Sequence, residues 1–252
     1  MRRRPFYALL VLALTLAGGA GVLAQRGGVF GGLFRGSYSS NMKYDGKFTF
    51  IRMSYQGDRR NSWSHDYPTG EQHFMSILTN VSNVNAHVNE SNIMSFNDPE
   101  MFKFPVIYLV EPGYWRMAED DVVALRSYLL KGGFMIVDDF PYWAWANFEL
   151  EMSRLFPQGK WIDLDIGHPI FHSFFEIPRL DLAPAYPNLG PECLYRALFE
   201  DNDPQKRMYV MANFQNDISE YWEFSDTGRY VVDESNEAYK FGVNEFVYGI
   251  TH

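Results

Sequence analysis

Apolar runs and helically spaced stretches alternate along this chain. KFTFIRMSY, residues 47–55, reads as a strand, and FPVIYLVE, residues 104–111, is nearly continuous in apolar side chains, the pattern of a strand buried on both faces. FMIVDD, residues 134–139, repeats that pattern and breaks off on two aspartates. Phe74, Ile77 and Leu78 recur at helical spacing over residues 69–79. Ala118, Val122, Leu125 and Leu129 make one face of a second helix. Its first turn carries Glu119, Asp120 and Asp121, where the helix dipole favours negative charge, and it closes on Lys131 and a Gly132-Gly133 cap. A third helix is predicted from about Trp145 to Leu155.

Elsewhere the pattern is weaker. NAHVN, residues 85–89, is at most a short strand; KWIDLD (160–165) and RMYVMANF (207–214) are strand candidates. EAYKFGVNEFVYGI, residues 237–250, reads as a closing amphipathic helix, and the proline-rich residues 178–195 as an irregular excursion. Strands alternating with helices are the signature of a mostly parallel sheet covered on both sides, so the expected class is α/β.

An open parallel sheet binds ligands beyond the carboxyl ends of its strands. Reading each predicted strand to that end collects Tyr55, Glu111, Asp138, Asp139, Asn216 and Asp217, a polar and acidic rim. Side chains alternate along a strand, so Asp138 and Asp139 point different ways, one to the crevice and one to a cap or a basic partner. Arg52 interrupts an apolar strand and needs a counter-charge, for which Asp138 or Asp139 on a neighbouring strand is the candidate. Asp66, in the polar loop after the first strand, is placed to line the same rim or to cap the helix that follows. His65, beside it, is read as loop packing, and His168-Pro169 as a turn.

Composition narrows the chemistry. Hydrophobic residues make up 46% and aromatics 17%, enough for a real core. Net charge of −9 argues against a nucleic-acid binder and against docking on anionic lipid. The scattered histidines lack metal-ligand spacing, so no metal site and no cofactor are expected, although an acidic rim suits a divalent cation. Neither a nucleophile-elbow G-x-S-x-G nor a glycine-rich phosphate loop is present. Cys193, the one cysteine, excludes an internal disulfide and follows the irregular stretch rather than a strand.

The N-terminus, MRRRPFYALLVLALTLAGGAGVLAQ, has a basic start, an apolar stretch and small residues before Ala24. It reads as a secretory signal peptide over residues 1–24, with an uncleaved anchor as the alternative. Residues 25–45 then form a flexible leader and residues 46–252 the domain, placing the mature protein in the periplasm or outside the cell, off the membrane.

FTFIRMSY, DYP, DPEMFKFPVIYLVEPG, VVALRSYLLKGGFMIVDD, LFP, HPIFHSFF and FGVNEFVYGIT occur in that order. Together they resemble the bacterial domain-of-unknown-function family DUF4159 from about Phe48 to Thr251. The resemblance implies a three-layer sandwich, flavodoxin-like and similar to class I glutamine amidotransferases, and no transferable activity. Those enzymes carry a cysteine on the turn after a central strand. The corresponding turn here is Asp138-Asp139-Phe140, so amidotransferase chemistry is not expected. The favoured reading is a non-catalytic exported module that binds an unknown protein or glycan. The alternative is a hydrolase or lyase using the rim carboxylates on a glycan or peptide.

Overall fold

The computed structural model describes residues 40–57, 62–181, 183, 186 and 190–252. The expected signal peptide and residues 25–39 of the expected leader lie outside the described residues. In chain order the elements are β1 (Phe48–Met53), β2 (Gln56–Gly57), α1 (Thr69–Val81), β3 (Ala86–Met94), β4 (Val106–Val110), β5 (Trp115–Arg116) and α2 (Glu119–Leu130). They continue with β6 (Phe134–Asp138), α3 (Trp145–Leu155), β7 (Ile162–Asp163), β8 (Leu194–Phe199), β9 (Met208–Phe214), α4 (Ile218–Glu223) and α5 (Val232–Thr251).

Seven strands form one sheet in the order β3-β1-β4-β6-β9-β8-β7, while β2 and β5 make a small antiparallel ribbon. β3, β1, β4, β6 and β9 run parallel, and β8 and β7 close one edge antiparallel. The parallel α/β expectation therefore holds for the centre of the sheet. Several strands differ from the sequence reading: the candidate at residues 160–165 shrinks to Ile162–Asp163, and the β2–β5 ribbon is unexpected. The short strand at residues 85–89 is a nine-residue edge strand, because its polar second half pairs with β1. LYRALF, whose first two residues close the expected irregular excursion and whose other four carry no expected element, is β8 and pairs along most of β9.

Alternation along the strands builds two cores, one on each face. Phe50, Tyr108, Val110, Phe134 and Ile136 meet α1, α4 and α5 through Phe74, Leu78, Trp222 and Phe246. Ile51, Met53, Ile107, Leu109, Met135 and Val137 meet α2 and α3 through Leu125, Leu129, Phe148 and Met152. β4 and β6 are buried at every position, which is why their sequences alternate so little. α2 ends at Leu130, and the chain leaves it through Lys131 and Gly132, whose φ of +112° suits glycine alone. Residues 41 and 42 run beside the edge strand β3: Asn41 exchanges hydrogen bonds with the Ile93 backbone at 2.6 and 2.9 Å, and Met42 does so with Asn92. Such cover blunts an edge that would otherwise invite pairing.

Arg52 is fully buried on the α1 side of β1, and its partner differs from the one expected. Its Nε donates to Glu71 Oε1 at 2.6 Å and its Nη2 lies 2.5 Å from the same oxygen. Asp138 and Asp139 belong to β6 and the turn after it, and β4 stands between β6 and β1. That puts them roughly 10 Å away, two strand spacings. Glu71 lies in the first turn of α1, three residues before Phe74 on the same buried face. Removing it strands a buried guanidinium. Glu71→Ala is expected to cost about 3–5 kcal/mol in urea unfolding, and a loss under about 1 kcal/mol would show that the pair contributes nothing.

Candidate functional site

Because five strands run parallel, their carboxyl ends share one edge, and there the backbone takes an unusual course. Glu111 after β4, Asp139 after β6 and Gln215 after β9 all have left-handed φ, at 48°, 49° and 58°. Asp66, in the loop before α1, joins them at 64°. Left-handed backbone costs a non-glycine residue about 1–2 kcal/mol, so the surroundings must impose it. For Asp139 they do so from both sides. The Glu111 N–H donates to the Asp139 carbonyl at 3.1 Å, while Phe140 and the Gln215–Asn216 backbone exchange two bonds of 3.1 Å.

This turn separates the two aspartates. Asp138 is fully buried and accepts four hydrogen bonds: Tyr108 Oη at 2.6 Å, Asn213 Nδ2 at 3.1 Å, Ile218 N at 3.2 Å and Ser219 N at 2.9 Å. It thereby ties β4, β9 and the start of α4 to β6. The helix it caps is α4, far along the chain, rather than α3, which follows it. Asp138 is structural.

Asp139 turns the other way and meets Asp66 and Asp217. Carboxylate oxygens of the three lie within 4.8 Å of one another, and Asp66 also approaches Glu220 and Glu223 within that distance. Tyr186, from the excursion before β8, donates its hydroxyl to Asp139 Oδ1 at 2.7 Å. Asp217 caps α4 through Glu220 N at 2.9 Å and accepts from Ser219 Oγ at 3.1 Å. Among the described residues no lysine, arginine or histidine forms an ion pair with any of the three. Burial, followed by the charge of Asp66, pushes the Asp139 carboxyl up to about 7 against the opposing Tyr186 bond. Burial and then Asp139 push Asp217 well above the usual carboxylate range. Burial, with the hydrogen bond that the protonated carboxyl donates to Asp66, raises Glu223 to about 8.

The remaining expected rim residues divide. Glu111 sits beside Asp139 through the backbone bond above, and its carboxylate is paired with His65. His65, read from the sequence as loop packing, is therefore a member of the rim. Tyr55 stands below it, donating to the Glu111 and Val110 carbonyls at 2.7 and 3.1 Å. Asn216 is buried and accepts from the Asp217 N–H at 2.9 Å, so it shapes the turn that carries Asp217. Arg52 lies under the site with Glu71, its guanidinium carbon 5.3 Å from the Tyr108 ring centre. Asp66 does not cap α1, whose cap position is Pro68 with no side-chain bond. Its left-handed backbone directs the carboxylate to the cluster instead. Sequence reasoning missed Tyr186, Glu220 and Glu223. Glu220 and Glu223 follow Asp217 at helical spacing, which is a usable signal, whereas nothing local marks Tyr186.

Cys193 is no replacement nucleophile. It donates through Sγ to the Gln215 carbonyl at 2.9 Å, and burial pushes its thiol up to about 11.

The Asp139 shift has a sign that can be checked. An unfolded aspartate titrates near 3.9, whereas folded Asp139 does so at about 7. Between those values the native state holds a proton that the unfolded state releases, so stability contributed at low pH is lost as pH rises from about 4 to about 7. Asp139→Asn escapes that loss. Its melting temperature relative to wild type should rise steadily across this window and level off above it; a pH-independent difference would contradict the assignment.

No curated protein matches the chain. The family model described as a domain of unknown function, DUF4159, matches residues 49–250, which span the whole sheet except the first residue of β1 and every described helix to its last turn. The protein belongs to the DUF4159 family.

Proposed function

We propose that this chain is an exported binding module on a scaffold similar to class I glutamine amidotransferases, and that its ligand presents positive charge to Asp66, Asp139 and Asp217. One observation carries the reading: carboxylates from three separate segments meet within 4.8 Å with no described basic side chain paired to them. Like charges held so close raise each other's pKa and cost stability, a cost that a bound cation reverses. A divalent cation is the simplest occupant, because it takes oxygen ligands and tolerates a mixture of buried and half-exposed carboxylates. A protein or glycan ligand can complete its coordination from outside. Export rests on the basic, apolar and small-residue order of residues 1–24. The scaffold comparison rests on the strand-to-turn position of Asp139, where an amidotransferase carries its cysteine.

A second reading has its own support. Asp139 stands on a left-handed turn directly after a central strand, and its carboxyl titrates at about 7, in the range that suits a general acid or base near neutrality. That arrangement fits a hydrolase or lyase acting on a glycan or peptide.

Thermal unfolding with calcium, magnesium or manganese tests the first reading. Saturation near one hundred times the dissociation constant contributes about 2.7 kcal/mol, which for a chain of this size raises the melting temperature by roughly 5–10 °C. The expected result is such a rise in wild type with at least one of the three ions, and none in an Asp139→Asn, Asp217→Asn double variant. The absence of a shift with all three, or an equal shift in the variant, would reject a cation at this cluster and leave the acid–base reading.

A further inference from the structure

Beneath the carboxylate cluster lies a second pair of acidic groups, formed by Asp138 and Glu245. Glu245 lies on α5 and is 1% exposed, and Asn213 of β9, fully buried, stands between the two carboxyls. The Asn213 amide donates one N–H to Asp138 Oδ1 at 3.1 Å and the other to Glu245 Oε2 at 3.4 Å. Two buried atoms then have no partner, Asn213 Oδ1 and Glu245 Oε1. An orphaned buried acceptor is costly because it gives up water without gaining a donor, so two on adjoining side chains call for an explanation.

Reversing the Asn213 amide does not supply one. Its oxygen would then face Asp138, which already collects N–H and O–H donors from three other groups and has none to give. The orphans belong to the same two side chains already joined by the Nδ2–Oε2 bond. A proton on Glu245 Oε1, directed at Asn213 Oδ1, satisfies both and closes the eight-membered ring that a carboxylic acid and an amide form. The charges around Glu245 agree. Asp138 on β6 is the charged group acting on it, Tyr195 on β8 is its other titratable neighbour, and among the described residues no basic side chain offsets them. Burial, then the Asp138 charge, raises the Glu245 carboxyl well above its ordinary range, against the opposing N–H bond from Asn213.

We propose that Glu245 is a neutral carboxylic acid in the native protein at neutral pH, ring-bonded to Asn213. In that form it is a positioning residue that lets Asp138 be the single buried anion holding α4 and, through α4, Asp217. The inference does not depend on what binds at the rim.

Glu245→Gln replaces the acid by its neutral isostere, which can form the same ring with its own amide. Unfolding the wild type releases the Glu245 proton at any pH above that of a free glutamate, whereas unfolding the variant does not. The ratio of the unfolding constants, wild type over Glu245→Gln, should therefore grow about tenfold for each pH unit above roughly pH 5. The other raised carboxyls are common to both proteins and cancel. A ratio that stays flat with pH would show that Glu245 is ionised and satisfied some other way, and would overturn the proposal. Should Glu245→Gln fail to fold, the assigned carboxyl carbon of Glu245 in wild type decides. The chemical shift of an un-ionised acid at pH 7.5 supports the proposal, and that of a carboxylate refutes it.

Discussion

The four hydrogen bonds on Asp138 are the constraint on which the upper half of this molecule depends. They come from β4, from β9 and from two consecutive amides at the start of α4. One side chain thus fixes the spacing of three strands and the entry of a helix that has no close sequence link to it. Charge-assisted bonds to a buried carboxylate are worth about 1.5–3 kcal/mol each, against roughly 1 for neutral ones. Such a clamp is strong enough to hold neighbouring backbone in conformations it would otherwise avoid.

That strength is spent one residue later. With Asp138 anchored, Asp139 is held left-handed between the Glu111 backbone and the Gln215–Asn216 backbone bonded to Phe140, and its carboxyl is brought to Asp66 and Asp217. The clamp also orients α4, which has Asp217 as its cap and carries Glu220 and Glu223 as neighbours of Asp66. A strand that ends on two adjacent carboxylates is reasonable on these terms. The first is neutralised by donors and makes the structure, and the second is placed where only a proton or a bound positive group relieves it.

The sequence disclosed most where chemistry leaves little choice. β4 and β6 are buried on both faces and so must be apolar throughout; α3 runs from Trp145 to Leu155 as its spacing predicts. The rim was legible for the same reason, since strand ends in a parallel sheet share an edge, and Asp139, Glu111, Asp66 and Asp217 do gather there. What stayed hidden depends on which elements are neighbours. Arg52 plainly needs a counter-charge, but only the order β1-β4-β6 shows that Glu71 on a helix is nearer than either aspartate. The same holds for Asp66, whose left-handed φ no local signal announces, and for β3 and β8, where polar or proline-flanked residues are strands because a neighbour supplies the pairing. Glu245 was hidden most completely: it lies four residues after Phe241 on the buried face of an amphipathic helix, and its meaning appears only opposite Asn213.

The most direct test of the clamp is native-state hydrogen exchange of the Ile218 and Ser219 amides in Asp138→Asn. Loss of the carboxylate leaves those two N–H groups with a weaker acceptor. At about 1–2 kcal/mol per bond the exchange of both should quicken by at least tenfold relative to amides in α2, on the far side of the sheet. Unchanged protection at Ile218 and Ser219 would show that α4 is held by its apolar contacts alone, and that Asp138 is not what fixes the site.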